Sequence, residues 1–266
     1  MTPALPIFVI NLERDTERRR HMTELLGQLG LASEFVGAVD GRKLTASDRA
    51  AYDPARAHRI YGVDMMDTEI ACCLSHHHVY HRMLREGIGT ALILEDDVRI
   101  EATFPAVLQD ILVCRFDDWL VVRLDTKRTQ LHNPPSAKFL GTRVAELAGG
   151  GALYRLRTHV LGTGAYLIRR EGASRMLAYG RPIFMPIDQT MDRFWENGIL
   201  PYVVRPFPVL QNEDFGSSTG WAPAGSARRP AGCHTAAAAR AAGHRRGSQA
   251  RLQPHPLRPG WVKTVD

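Results

Sequence analysis

The chain has 266 residues, enough for one large domain or two small ones. Hydrophobic residues make up 44% and charged residues 23%, which excludes a fibrous protein or one disordered throughout. Four cysteines without a CxxC pair exclude a disulfide scaffold and a zinc ribbon, and suit a reducing compartment. The net charge of +6 suggests a nucleic-acid partner until it is located. Residues 222–266 hold eight of the 34 basic residues and one of the 28 acids. That leaves 26 bases and 27 acids in the preceding 221 residues, so the body is close to neutral and the positive charge belongs to the tail. No apolar run reaches the roughly 18 residues of a membrane span, and Met1–Ile10 lacks the basic start of a signal peptide.

In chain order, the apolar run Ile7-Phe8-Val9-Ile10 predicts a buried strand. A helix is predicted over 16–29, with Met22, Leu25, Leu26 and Leu29 on one stripe and Gly30 as its stop. Phe35–Val39 predicts a second strand, and 42–66 a loop with short helices. The pattern over 68–85 predicts a helix capped by Asp67 or Thr68. Ala91-Leu92-Ile93-Leu94 is the clearest buried strand and runs directly into Glu95-Asp96-Asp97. A helix over 104–113, a strand over 119–124 and a loop over 127–151 follow. Next come a strand over 165–168, a helix near 171–178, one helix over 187–197 and a last strand at 202–204. This alternation predicts an α/β fold: a mostly parallel sheet with helices on both faces, in a single domain over 1–220. Residues 221–266, rich in Ala, Arg, Gly and Pro with few core formers, read as a disordered tail or an altered reading frame.

Three acids directly after a buried strand carry the most chemistry. Ligands of open α/β sheets bind beyond the carboxyl ends of strands. Adjacent carboxylates repel, so they need a cation, basic partners or full solvation. A divalent metal held by one or two carboxylates and substrate phosphates is one solution; a solvated acidic turn is the other.

Four ordered segments resemble glycosyltransferase family 25, which includes bacterial lipooligosaccharide galactosyltransferases and collagen galactosyltransferases. They are Ile7–Leu12 with Arg14 and Arg18, leading to Ala38-Val39-Asp40-Gly41; Glu69–His76; Ala91–Val98; and Gly162–Ile168, then Gly172-Ala173 and Pro186-Ile187-Asp188. The resemblance implies a GT-A-like fold and a UDP-sugar donor held through Mn²⁺ or Mg²⁺ on Glu95, Asp96 and Asp97. It also implies Asn11, Arg14, Ser75, His76 and Thr163 around the donor, and Asp188 with Asp97 as catalytic carboxylates. Asp188 is the candidate base for the acceptor hydroxyl, although an Asp there would equally suit a helix N-cap. The expected reaction moves a hexose, galactose foremost, to a saccharide acceptor of the lipopolysaccharide or lipooligosaccharide class. The expected location is the cytoplasm, with peripheral contact at the inner membrane and no nucleic-acid partner.

Two other readings compete. Cys73, His77 and His81 are spaced along one helix face as zinc ligands would be, which would suit a zinc-dependent hydrolase; with no second ligand cluster, core packing is the plainer account. The basic tail would suit a non-enzymatic module that binds anionic polymers. Cys72 and Cys73 read as small buried hydrophobes, and Asp125-Thr126-Lys127 as either a sugar contact or a turn.

Overall fold

The computed structural model describes residues 5–114, 116, 118–126 and 140–215, all within one compact unit. The predicted tail, residues 221–266, lies outside the described residues, as does Lys127.

The chain opens with β1 (Ile7–Asn11), α1 (Thr16–Gln28) and β2 (Glu34–Gly37). Two short helices, α2 (Ala46–Ala50) and α3 (Pro54–Ile60), lie in the segment expected to be a loop with short helices. Helix α4 (Asp67–Glu86) follows. Its cap is Met66, one residue before the expected Asp67, and the Glu69 carboxylate accepts the Met66 N–H at 2.9 Å. It stops at Gly87, whose φ of 69° is the left-handed conformation glycine adopts without a Cβ penalty.

Next come β3 (Thr90–Glu95), β4 (Val98–Ile100), α5 (Phe104–Val113) and β5 (Val121–Arg123). β6 (Gly141–Glu146), β7 (Ala152–Leu156), β8 (Ala165–Arg169) and α6 (Arg170–Gly180) follow. The chain then forms α7 (Ile187–Met191), α8 (Phe194–Asn197), β9 (Tyr202–Arg205) and β10 (Val209–Gln211). Strand β6 corrects the expected loop over 127–151: it is a largely exposed edge strand, so no buried face marks it. The single helix expected over 187–197 is two, broken at Asp192. The Asp192 carboxylate turns away to accept the N–H groups of Val160 (2.9 Å) and Leu161 (2.8 Å).

The main sheet has the order β2-β1-β3-β8-β5-β9-β7-β6. Six strands run one way; β8 and β7 run against them. β4 and β10 form a small antiparallel ribbon. Alternation along the strands serves two cores. In β1, Ile7 and Val9 face the helices α1 and α5, while Phe8 and Ile10 face α4, α6 and α7. In β3, Leu92 and Leu94 take the first side and Ala91 and Ile93 the second. A one-residue slip would exchange these sets, so burial on both faces fixes the register. Helices therefore cover both faces, as the alternating pattern predicts. Among the described residues, no helix is long and apolar enough to cross a membrane.

Candidate active site

Parallel pairing of β1 with β3 sets Ile10 opposite Glu95, so both chains leave the sheet at the same edge. β8 runs the other way, so its start joins them: the Glu95 N–H donates to the Gly164 carbonyl at 2.8 Å. Beyond this edge lies a pocket lined by residues of four segments, among them Leu12, Arg14, Asp40, Ser75, His76 and Glu95-Asp96-Asp97. Its position is the carboxyl-end crevice where open α/β sheets bind ligands.

The three acids divide their partners. Arg18, on α1, donates one guanidinium nitrogen to Asp96 (3.0 Å) and to Asp97 (3.2 Å), with all three side chains nearly buried. Burial pushes the Asp96 carboxyl up, opposed by the hydrogen bonds from Asn11 and Arg18. The β4–β10 ribbon adds Gln211, whose amide donates to Asp97 at 3.3 Å. Glu95 faces another group. It accepts from the Thr163 hydroxyl at 2.6 Å, and its Oε1 lies 3.6 Å from His76 Nε2.

Three adjacent carboxylates share this wall with a nearly buried guanidinium, and a divalent cation would suit such a cluster. The donors are hard oxygens, the kind Mn²⁺ and Mg²⁺ take. The residues therefore fit such an ion held by one or two carboxylates together with donor phosphates. With Arg18 already on Asp96 and Asp97, they do not form one closed three-acid cage.

Of the predicted donor contacts, Arg14, Ser75 and His76 line the pocket; Asn11 and Thr163 stand behind it. Arg14 pairs with Asp40 across the rim. Ser75 accepts the Val39 N–H at 2.9 Å and donates to the Ala71 carbonyl at 2.7 Å, tying α4 to the strand β2 exit. His76 Nδ1 lies 2.7 Å from the Tyr166 hydroxyl. Asn11 is 2% exposed and donates to Asp96 at 2.7 Å, so it positions a carboxylate rather than facing the pocket. Asp188 also lies outside the lining. It sits in the second position of α7, not at its cap, and accepts the N–H groups of Gly162 (3.0 Å) and Gln189 (2.8 Å).

Asp188 is one of four carboxylates holding residues 160–165. Asp192 takes Val160 and Leu161, Asp188 takes Gly162, Glu95 takes the Thr163 hydroxyl, and Asp125 takes Gly164 and Ala165. Leu161 is held at φ 57°, a conformation costly for a residue with a Cβ. Asp125 is buried, which raises its carboxyl to about 6 despite nearby Arg123 and two N–H donors. It is thus a clamp on this segment, and Thr126 donates to the Val160 carbonyl at 2.5 Å.

Sequence reasoning passed over Arg18 as a site residue and took Cys72 for core. Arg18 lies four residues before Met22 and eight before Leu26, on the same buried stripe of α1. An arginine on an apolar stripe is a signal of a buried acidic partner. Cys72 is only half-buried and lines the pocket, whereas Cys73 is buried as expected. The Cys73–His77–His81 stripe is not a ligand group. Cys73 and His77 are buried and His81 is partnered by Arg181.

The model of "Glycosyltransferase family 25 (LPS biosynthesis protein)" matches residues 4–191, and so contains every element that builds this pocket except β10. The chain belongs to glycosyltransferase family 25. A glycosyltransferase 25 family member of Anopheles gambiae is 31% identical over 201 residues, covering 72% of this chain and 32% of the relative. Procollagen galactosyltransferase 1 of Danio rerio is 27% identical over 217 residues, 76% of this chain and 35% of the relative. The chain thus spans about a third of the length of these family 25 relatives. Among solved structures, a glycosyltransferase involved in the glycosylation of the major capsid of PBCV-1 aligns with a TM-score of 0.43 and 10% identity. That alignment covers 82% of this chain and 95% of that one.

Proposed function

We propose that this family 25 chain transfers a hexose, galactose foremost, from a UDP-sugar to a saccharide acceptor, with Mn²⁺ or Mg²⁺ on the donor diphosphate. The observation that carries the reading is the pocket wall Glu95-Asp96-Asp97 at the carboxyl edge of β3, facing Arg14 and Arg42. Acids there suit a cation, and the arginines suit phosphate oxygens. A bound divalent cation supplies Lewis acidity to the leaving diphosphate. Asp97 and Asp96 would hold it, with Glu95 beside them. Arg18 donates to both aspartates and holds them in place, and Asn11 orients Asp96.

The galactosyltransferase relatives support galactose, and the family description supports a lipopolysaccharide-type acceptor. We place the enzyme in the cytoplasm, in peripheral contact with the membrane that carries such an acceptor. For the acceptor proton we assign Asp188, by resemblance. Each of its oxygens accepts one N–H and retains capacity for another hydrogen bond.

A panel of UDP-sugars with Mn²⁺, read by thermal midpoint and by slow donor hydrolysis, tests the donor. UDP-galactose should protect most, and Asp97→Asn should abolish Mn²⁺-dependent protection while leaving the unliganded midpoint near wild type. Equal UDP affinity in wild type and variant would overturn the cation assignment. Asp188→Asn should keep donor binding and lose transfer. Transfer at near wild-type rate would leave Asp188 only its backbone contacts.

A further inference from the structure

Cys72 and His76 stand one turn apart on α4, and Glu95 ends β3 beside them. One ligand atom from each lies within 4.8 Å of the other two. His76 Nε2 and Glu95 Oε1 are 3.6 Å apart. A tetrahedral ion with nitrogen and oxygen at its usual bond lengths separates two such donors by about 3.4 Å. Little closure is needed for this pair.

His76 is 1% exposed, and its buried Nε2 has no hydrogen-bond partner. Such an orphan is costly unless something binds it. Its other nitrogen is anchored, 2.7 Å from the Tyr166 hydroxyl, which is itself 2.7 Å from that of Tyr80. An imidazole fixed through one nitrogen and presenting the other is how metal-binding histidines are held. The Thr163 hydroxyl holds Glu95 in place, donating to the same Oε1 that lies beside His76. All three side chains line the pocket, so a fourth coordination position would open onto it.

We propose that Cys72, His76 and Glu95 form a binding site for a borderline-soft divalent cation of the Zn²⁺ class. A thiolate, an imidazole and a carboxylate select Zn²⁺ over Mn²⁺ or Mg²⁺, which prefer all-oxygen sets. The site is therefore chemically distinct from Asp96 and Asp97, although it shares the pocket. Binding releases the Cys72 proton to solvent. The proposal stands independently of the nucleotide reading, because it needs no donor.

The test adds Co²⁺, as a spectroscopic substitute, to the full chain in the absence of nucleotide, and then displaces it with Zn²⁺. A thiolate-to-cobalt charge-transfer band should appear and vanish on Zn²⁺ addition. Cys72→Ser should remove the band, and His76→Gln or Glu95→Gln should weaken Zn²⁺ binding tenfold or more. His81→Gln should leave both unchanged. A band that persists in Cys72→Ser would place the ion on another thiol and overturn the site. A second measurement needs no variant: in the wild type, Zn²⁺ should protect Cys72 from alkylation by iodoacetamide, read by peptide mass. Equal modification with and without Zn²⁺ would also overturn the proposal.

Discussion

Arg18 illustrates how one side chain holds this site together. Its guanidinium is nearly buried between Asp96 and Asp97 and also donates to the Phe215 carbonyl at 3.2 Å. Removing one partner of a buried pair costs about 3–5 kcal/mol, because the remaining charge is left uncompensated. Arg18→Met should therefore lower stability at pH 7 by that order, measured by urea unfolding. The double variant Arg18→Met/Asp97→Asn should recover part of the loss, since it leaves one charge fewer to compensate. A loss below about 1 kcal/mol in the single variant would mean that water, not Arg18, solvates the acids, as at an exposed pair.

At the scale of elements, two glycines in helices have opposite roles. Gly172, in the first turn of α6, packs on the strand before it: a Cβ there would lie 2.7 Å from the Leu120 carbonyl oxygen and 3.2 Å from Ile168 Cγ1. Gly27, near the end of α1, has nothing within 4 Å of that position. Alanine is the better helix former by about 0.8–1 kcal/mol. Gly27→Ala should thus stabilise by up to about that amount, and Gly172→Ala should destabilise by about 1–3 kcal/mol through overpacking. Thermal midpoints moving in opposite directions would confirm it. A stabilised Gly172→Ala would show that α6 can lift from β8 at little cost.

At the scale of the whole molecule, two buried groups give opposing pH dependences. Burial raises the Asp125 carboxyl from 3.8 to about 6, so the folded state holds its proton more tightly than the unfolded state. Its contribution is most favourable below pH 3.8 and is lost as pH rises to 6, by about 3 kcal/mol. Burial lowers the His77 imidazole from 6.5 to about 3, with neighbouring Arg181 acting in the same direction. Its contribution is full above pH 6.5 and is lost as pH falls towards 3, by about 5 kcal/mol. Across pH 4–6 the two slopes oppose. Relative to wild type, His77→Gln should lose stability as pH rises through this window, and Asp125→Asn should gain it. Chemical denaturation at pH 4, 5 and 6 reads both; unchanged slopes in either variant would refute that group's assignment.

The elements that the sequence by itself determined are those with a strong periodic face. α1, α4, α5, α6 and strands β1, β3 and β8 fall within a few residues of expectation, because each buries a continuous face that its pattern must show. The acidic run after β3 was also legible, since three charges at a buried strand end are conspicuous in one dimension. Three-dimensional pairing decided the rest. β6 is an edge strand with little to bury, and α7 and α8 part because Asp192 binds a segment more than thirty residues earlier. Only the tertiary structure shows that Glu95 faces Cys72 and His76 while Asp96 and Asp97 face Arg18. Adjacent residues leaving a strand diverge, and which partner each meets depends on the helices α1 and α4 packed against opposite faces of the sheet.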